Sequence, residues 1–397
     1  MTKQLVSLCL AATLFILPSA AQTGPGSGAE ALPAGEPHPE TVALENAVLD
    51  AVCLIESGEY PSARTILDSL DRTCPQDPAV QYYLGLCMYV ARDVPAAIGR
   101  FENAVALDST NTWYKEALAN MYINTGDATR AGELFSQLSI VNPARFRDAY
   151  TLALIADAHR MKRDYDAFFS TLTELVESEN ADDEMKYRAL MGALGGFDSR
   201  TFKSILPRID TLLLRFTEAE PSSIHAHELR METSFNLEHW GTVIEEAERL
   251  MELQPSDTLA LAGNLSVIGD TYHRMGQEKK AYQTYEKALK LKPDYCPVLN
   301  NYAYYLSEQR RRLCKAEKMS RITVDLEPDN STYLDTYGWI LFLRGKAAKA
   351  KPYFKHAMLY GGKDSPVVLM HYSLVLKALG EEELSSYYKT LAESKTK

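Results

Sequence analysis

Residues 335–358 read DTYGWILFLRGKAAKAKPYFKHAM, and the two glycines in them, Gly338 and Gly345, decide the fold. A glycine inside a helix costs about 1 kcal/mol against alanine, so a single amphipathic helix has no use for either. Two antiparallel helices have a use for both. Gly338 lets the first helix of a pair, helix A, approach the second, helix B, where Ala350 and Ala357 are the small partners. Tyr337, Leu341 and Phe354 fill the space that these small residues leave. Gly345 closes the turn between the helices in left-handed backbone, which a glycine adopts at little steric cost.

The same spacing recurs along the chain. Ala51, Gly85 and Ala119 lie 34 residues apart, and the frame continues in Ala63, Ala97 and Ala131 and in Leu67, Phe101 and Phe135. It returns through Leu265, Ile268, Gly269, Tyr272, Gly276, Ala281, Tyr285, Ala288 and Pro293. With one extra residue near Arg310, it also runs through Leu299, Tyr302, Ala303, Leu306, Ala316 and Pro328. Pro293 and Pro328, each followed by an aspartate, stop one pair and start the next. A partial copy runs through Leu369, Tyr372, Leu376, Gly380 and Tyr387. The spacing slips by about three around residues 149–180, and residues 183–220 read as two helices with little of the pattern. Residues 224–255 follow it again, with Met231 in the small-residue place.

Over roughly residues 44–391 this pattern resembles the tetratricopeptide repeat family: a large residue, Leu-Gly and Tyr, then Ala and Phe, then Pro, every 34 residues. The resemblance implies an all-α fold, a right-handed superhelical solenoid of stacked antiparallel helix pairs. Eight or nine pairs would occupy 41–397 as one domain, irregular at about 149–220, with the A helices lining a concave groove. Relatives that clamp a terminal carboxylate use Lys and Asn. Asn300 and Asn301 suit that role, but the matching lysines on the A helices are missing, so the activity is not carried over.

The N-terminus reads differently. Lys3 precedes the apolar run LVSLCLAATLFIL, followed by Pro18 and the small residues Ser19, Ala20 and Ala21, the order of a cleavable signal peptide over 1–21. Residues 22–40, rich in Gly and Pro, read as a flexible linker. No later segment is apolar for long enough to span a bilayer. The chain is therefore expected to be exported, periplasmic or secreted. Five cysteines follow Cys9, namely Cys53, Cys74, Cys87, Cys296 and Cys314, an odd number that makes no disulfide framework and suits small buried residues.

No catalytic constellation emerges, and the chain is expected to be non-enzymatic and free of cofactors and metal. His227-Glu228 begins like HExxH, but Met231 stands where the second histidine belongs. His225, His227 and His239 could make at most a loose metal site. What the frame offers is a binding face. Tyr82, Tyr89, Trp113 and Asn120 in the first half, and His273, Arg274, Asn300, Tyr304, Asp335, Trp339 and Phe342 in the second, are placed on the groove side of the A helices. Rings supply contact area and Asn pairs with a peptide backbone, so a segment of a partner protein is the expected occupant.

Charge is uneven. From Leu259 onward there are 22 Lys and Arg against 15 Asp and Glu, whereas the residues before it hold 20 against 38. Arg310, Arg311, Arg312, Lys315 and Lys318 form a basic patch at a turn and on a B helix, which offers an alternative partner, an anionic polysaccharide or lipid of the cell envelope. Nucleic acid is not expected, because the chain is acidic overall and its aromatic residues are not interleaved with the basic run.

Overall fold

A computed structural model describes residues 39–395. The expected signal peptide, and the expected linker up to residue 38, lie outside the described residues. All regular structure among the described residues is helical. They divide into two compact units, the first ending at Asp198 and the second beginning at Ser199.

In the first unit α1 (Pro39–Glu56) pairs with α2 (Tyr60–Thr73), α3 (Pro78–Val90) with α4 (Val94–Leu107), and α5 (Thr112–Thr125) with α6 (Ala128–Val141). The short α7 (Pro143–Phe146) precedes the pair α8 (Ala149–Met161) and α9 (Tyr165–Glu177), and α10 (Asp183–Leu194) follows. The second unit opens with α11 (Ser199–Ala219), which packs on α12 (Ile224–Asn236), itself paired with α13 (Trp240–Leu253). Four pairs follow: α14 (Thr258–Arg274) with α15 (Glu278–Leu291), α16 (Cys296–Glu308) with α17 (Leu313–Leu326), α18 (Ser331–Leu343) with α19 (Ala347–Ala357), and α20 (Pro366–Ala378) with α21 (Glu382–Lys395).

The small residue of helix A is where the pair closes. A Cβ added to Gly338 would lie 2.7 Å from Phe354 Cε2, one added to Gly269 2.4 Å from Tyr285 Cε1, and one added to Gly85 2.9 Å from Phe101 Cε1. In each case the neighbour is an aromatic ring sixteen residues on, so the ring, more than the alanines, is the partner that the glycine serves. Met231 reverses the arrangement. Sixteen residues after it stands Ala247, fully buried between Val243 and Leu250, so the bulk sits on helix A and the small residue on helix B. Seven residues beyond each small position the backbone turns left-handed. Glycine fills it at Gly345 (φ +74°), while Arg92, Arg163, Glu238 and Arg310 hold the same conformation at φ between +51° and +64°.

The slip of three residues has a local cause. Asn142 caps α7, and that extra turn lengthens the interval from Ala119 to Ala156 to 37 residues. Farther along, α14 is 17 residues long where its neighbours α13 and α15 have 14, and the frame lengthens again.

Consecutive pairs are tied by ion pairs at a spacing of 29 residues. Arg100 meets Asp71 (2.8 Å), Arg145 meets Glu116 (2.7 Å), Lys162 meets Glu133 (2.9 Å), Lys315 meets Glu286 (3.0 Å) and Lys346 meets Glu317 (2.9 Å). Each is worth only about 0–1 kcal/mol, but the repetition fixes how one pair is seated on the next.

The cysteines differ from expectation. Cys87 and Cys296 are buried, whereas Cys53 and Cys314 are exposed and Cys74 is half-buried; all five are free thiols. Cys53 and Cys314 stand at outward positions of α1 and α17, where no neighbouring helix covers them.

Candidate functional site

From α14 onward each helix A touches the helix A of the next pair as well as its own helix B. The exposed flank of α14, α16, α18 and α20 therefore forms one surface, and the residues placed there by the repeat frame gather on it. Asp270 of α14 accepts from the Tyr285 hydroxyl (2.5 Å) and from Asn301 Nδ2 (3.1 and 3.2 Å). Burial raises the Asp270 pKa, opposed by those hydrogen bonds and by Arg274. Asn300 Nδ2 donates to Asn301 Oδ1 (3.4 Å), while Asn300 Oδ1 is buried without a hydrogen-bond partner. His273 stacks on Tyr305 with ring centroids 3.5 Å apart, and burial lowers its pKa.

Farther along the surface Trp339 is the hub. Its indole N–H donates to Glu308 (3.3 Å), its ring stacks on His371 at 4.0 Å, and Phe342 lies beside it at 5.3 Å. His371 Nδ1 lies 2.9 Å from Asp335 Oδ1, and both side chains are buried. Burial, and then the negative charges of Glu308 and Asp335, raise the Tyr304 hydroxyl pKa. Glu308 of α16 thus meets Trp339 of α18, with Tyr304 one turn before Glu308 and Phe342 beside Trp339.

The structure corrects three of the expected binding residues. Tyr82, Asn300 and Asp335 are buried, because residues from adjacent helices close over them. Tyr82 packs among Tyr83, Phe101 and Tyr114. Tyr89 and Asn120 are half-buried. Trp113 is half-buried too, with the Arg145 guanidinium from α7 over its ring at 5.2 Å and the same arginine bonded to Glu116. The added turn thus sets Arg145 against the Trp113 ring. Arg274, Trp339, Tyr304, His273 and Phe342 keep exposed or partly exposed surface.

The basic patch is also smaller than expected. Arg310, Arg311, Arg312 and Lys318 are exposed. Lys315 is instead held by Glu286 and the Tyr302 hydroxyl, each at 3.0 Å, and lies over the Tyr302 ring. Burial alone would lower its pKa, but those bonds raise it. Lys346 and Arg344 are likewise taken by Glu317, and Lys351 by Glu381.

Glu308, Tyr305 and His371 were not singled out in the sequence, and Asn301 was considered only for a carboxylate clamp. A regular signal existed: Asn301 follows Asp270, and Trp339 follows Glu308, by 31 residues, the reach from one helix A to the next. His227 and His239 each have a partner of their own. His227 bonds to Glu246 at 2.5 Å and lies 3.2 Å from the Pro221 carbonyl, whereas His239 sits 3.4 Å from Asp210.

The fold and this surface define the class: antiparallel helix-pair repeats that present a layer of A helices. Residues 263–295 match the tetratricopeptide repeat family, and this stretch of α14 and α15 is one such repeat. Among curated proteins the chain is similar to the type IV pilus assembly protein PilF of Pseudomonas aeruginosa, 28% identical over 146 residues, which cover 36% of this chain and 56% of that protein. It is also similar to the human protein O-mannosyl-transferase TMTC1, 26% identical over 154 residues, 38% of this chain and 17% of that protein. The chain thus spans little more than half of the one relative and a sixth of the other. Among solved structures it is similar to Naa15/Naa10 bound to HypK-THB, at 14% identity and a TM-score of 0.39, covering 89% of this chain and 64% of that one. No helix among the described residues is long and apolar enough to cross a membrane.

Proposed function

We propose that the protein is a non-catalytic scaffold that binds an extended segment of a partner protein along the A-helix surface of the second unit. The observation that carries this reading is the set Tyr304 and Glu308 of α16 with Trp339 and Phe342 of α18, all exposed or half-buried on neighbouring A helices. Half-buried rings beside an exposed carboxylate give an extended peptide both side-chain contacts and a polar partner. We place the protein outside the cytoplasm, in envelope assembly or a similar complex, on the signal-peptide pattern of residues 1–21 and the likeness to a pilus assembly protein.

A second reading rests on the turn at Arg310–Arg312. Three exposed guanidinium groups project there, with Arg310 and Arg312 held in left-handed backbone. An anionic envelope polysaccharide or lipid surface would meet that turn instead of the A helices.

A random dodecapeptide phage library selected on the full chain tests the first reading. Selected peptides are expected to lose binding at least tenfold when Tyr304→Ala and Trp339→Ala are combined, with helicity retained and little dependence on salt. Peptides that bind the double variant as tightly as the parent chain would show that this surface is not the site. Trp339→Phe, which keeps a ring over His371, is expected to retain most of the binding.

A further inference from the structure

The turn between α16 and α17 carries charge that the A-helix surface does not use; the inference rests on the anionic-partner reading of that turn given above. Arg310, Arg311 and Arg312 are consecutive and all exposed. Arg310 takes left-handed backbone where the neighbouring turns place Gly276, Gly345 and Gly380, and Arg312 takes it again at φ +45°. That conformation is unfavourable for any residue with a Cβ, so arginine stands at two positions that glycine would fill without strain. The backbone of the turn is closed on itself: the Arg310 N–H donates to the Ser307 carbonyl (2.9 Å), Arg311 to Leu306 (3.0 Å) and Lys315 to Arg312 (2.8 Å). Lys315 also ties the start of α17 to Glu286 of α15 at 3.0 Å. The three guanidinium groups are presented from a fixed base.

The preceding turn, between α14 and α15, adjoins this one. Tyr282 of α15 stacks on Tyr302 of α16 with ring centroids 4.9 Å apart, and Lys315 donates to the Tyr302 hydroxyl. Burial raises the Tyr282 hydroxyl pKa, Glu278 of the one turn adds to the rise and Arg311 of the other opposes it. The preceding turn brings Arg274, Lys279 and Lys280, all exposed, and with them Met275, which is 40% exposed. Six exposed cations thus stand against two exposed carboxylates, Glu278 and Glu308. The following turn adds little, because Glu317 holds both Arg344 and Lys346. A soluble polyanion requires only the charge. An exposed methionine among the cations suits a bilayer, where phosphates meet the guanidinium and ammonium groups and an apolar side chain enters the acyl boundary.

We infer that this edge of the second unit docks on a bilayer with anionic phosphate headgroups, Arg310–Arg312, Lys279 and Lys280 meeting the phosphates and Met275 the acyl boundary. The turns lie at the helix ends, so docking there leaves the A-helix flank open to a peptide.

Flotation of the full chain with vesicles of phosphatidylglycerol and phosphatidylcholine, mixed one to two, tests this, with pure phosphatidylcholine vesicles and fluorescein-labelled dextran sulfate alongside. Binding to the mixed vesicles is expected to be at least tenfold tighter than to phosphatidylcholine and to weaken steeply as salt rises. Each cation near such a surface is worth roughly fivefold in affinity, so Arg310→Gln, Arg311→Gln and Arg312→Gln combined are expected to lose at least thirtyfold at an unchanged melting temperature. Met275→Ser is expected to weaken vesicle binding three- to tenfold and to leave dextran sulfate binding unchanged.

Equal binding to the two kinds of vesicle, a preference that survives the triple change, or vesicle binding indifferent to Met275→Ser would overturn the bilayer inference. If dextran sulfate alone is bound and the triple change abolishes it, the bilayer falls while the anionic-partner reading stands. If the parent chain binds neither, or the triple variant binds both as tightly as the parent, that reading falls as well.

Discussion

Replacing Gly132 with alanine is expected to lower stability by about 3 kcal/mol or more, toward the upper end of what overpacking a core costs. A Cβ at this position would lie 2.1 Å from the Leu154 carbonyl oxygen and 2.7 Å from its carbon. Gly132 is buried on α6 and Leu154 belongs to α8, so the contact seats one helix pair directly on the backbone of the next. A ring can rotate away from an added methyl; a carbonyl inside a helix cannot move without displacing the whole of α8. Gly99 and Gly241 supply the control, because an added Cβ there meets nothing. Alanine at either is expected to gain about 0.5–1 kcal/mol from helix propensity. Circular dichroism at 222 nm during urea unfolding measures all three variants. A Gly132→Ala chain that unfolds at the parent midpoint would refute this packing of α6 on α8.

The second large effect is expected at Glu246. Its carboxylate is buried on α13, with one oxygen 2.5 Å from His227 Nδ1 and the other 2.5 Å from Arg230 Nη1. His227 is itself buried, and Arg230 Nε has no partner, so these polar groups depend on Glu246. Removing one member of a buried ionic network strands the rest in a low-dielectric interior, at a cost of about 3–5 kcal/mol. Glu246→Ala is expected to show that loss in urea unfolding, and Glu246→Gln, which still offers an acceptor to Arg230, a smaller one. A loss below about 1 kcal/mol for Glu246→Ala, the size of an exposed pair, would mean that the network is open to water.

How much of this was legible in the sequence varies with the type of feature. The glycine and ring at Gly338 and Phe354 could be read, because a small residue and a bulky one at fixed spacing are properties of one hairpin. Gly132 could not: its partner is a backbone atom of the next pair, and backbone contacts leave no residue type to recognise. Met231 read as a break in the pattern until its complement, Ala247, was found on the opposite helix. The slip at 149–180 was visible as a shift in spacing, while its cause, four residues of extra helix at Pro143–Phe146, was not. That same insertion places the Arg145 guanidinium over the Trp113 ring, a neighbour that periodicity had not shown.

In the second unit the frame put Tyr304, Trp339 and Phe342 on one surface because a face of a helix follows from spacing alone. It missed Glu308 and His371, whose roles depend on which neighbour each side chain meets, and it counted Asp335 as open surface although His371 covers it. The basic excess misled in the same way. Much of it serves ion pairs between adjacent helix pairs, with Lys315, Lys346 and Lys351 each matched to a glutamate. The charge total of a segment does not show which cations are already paired.

Site-specific photo-cross-linking of the full chain in the cells that make it tests most directly whether the A helices of the second unit bind the partner. Benzoylphenylalanine is placed in turn at Tyr304, Trp339 and Phe342, at Arg311 on the turn, and at Lys318 and Lys349 on the B helices. The expected result is that the three A-helix positions cross-link to one contiguous segment of one protein, with no product from Arg311, Lys318 or Lys349. Cross-links from Arg311 and the B helices, with none from the A-helix positions, would contradict it.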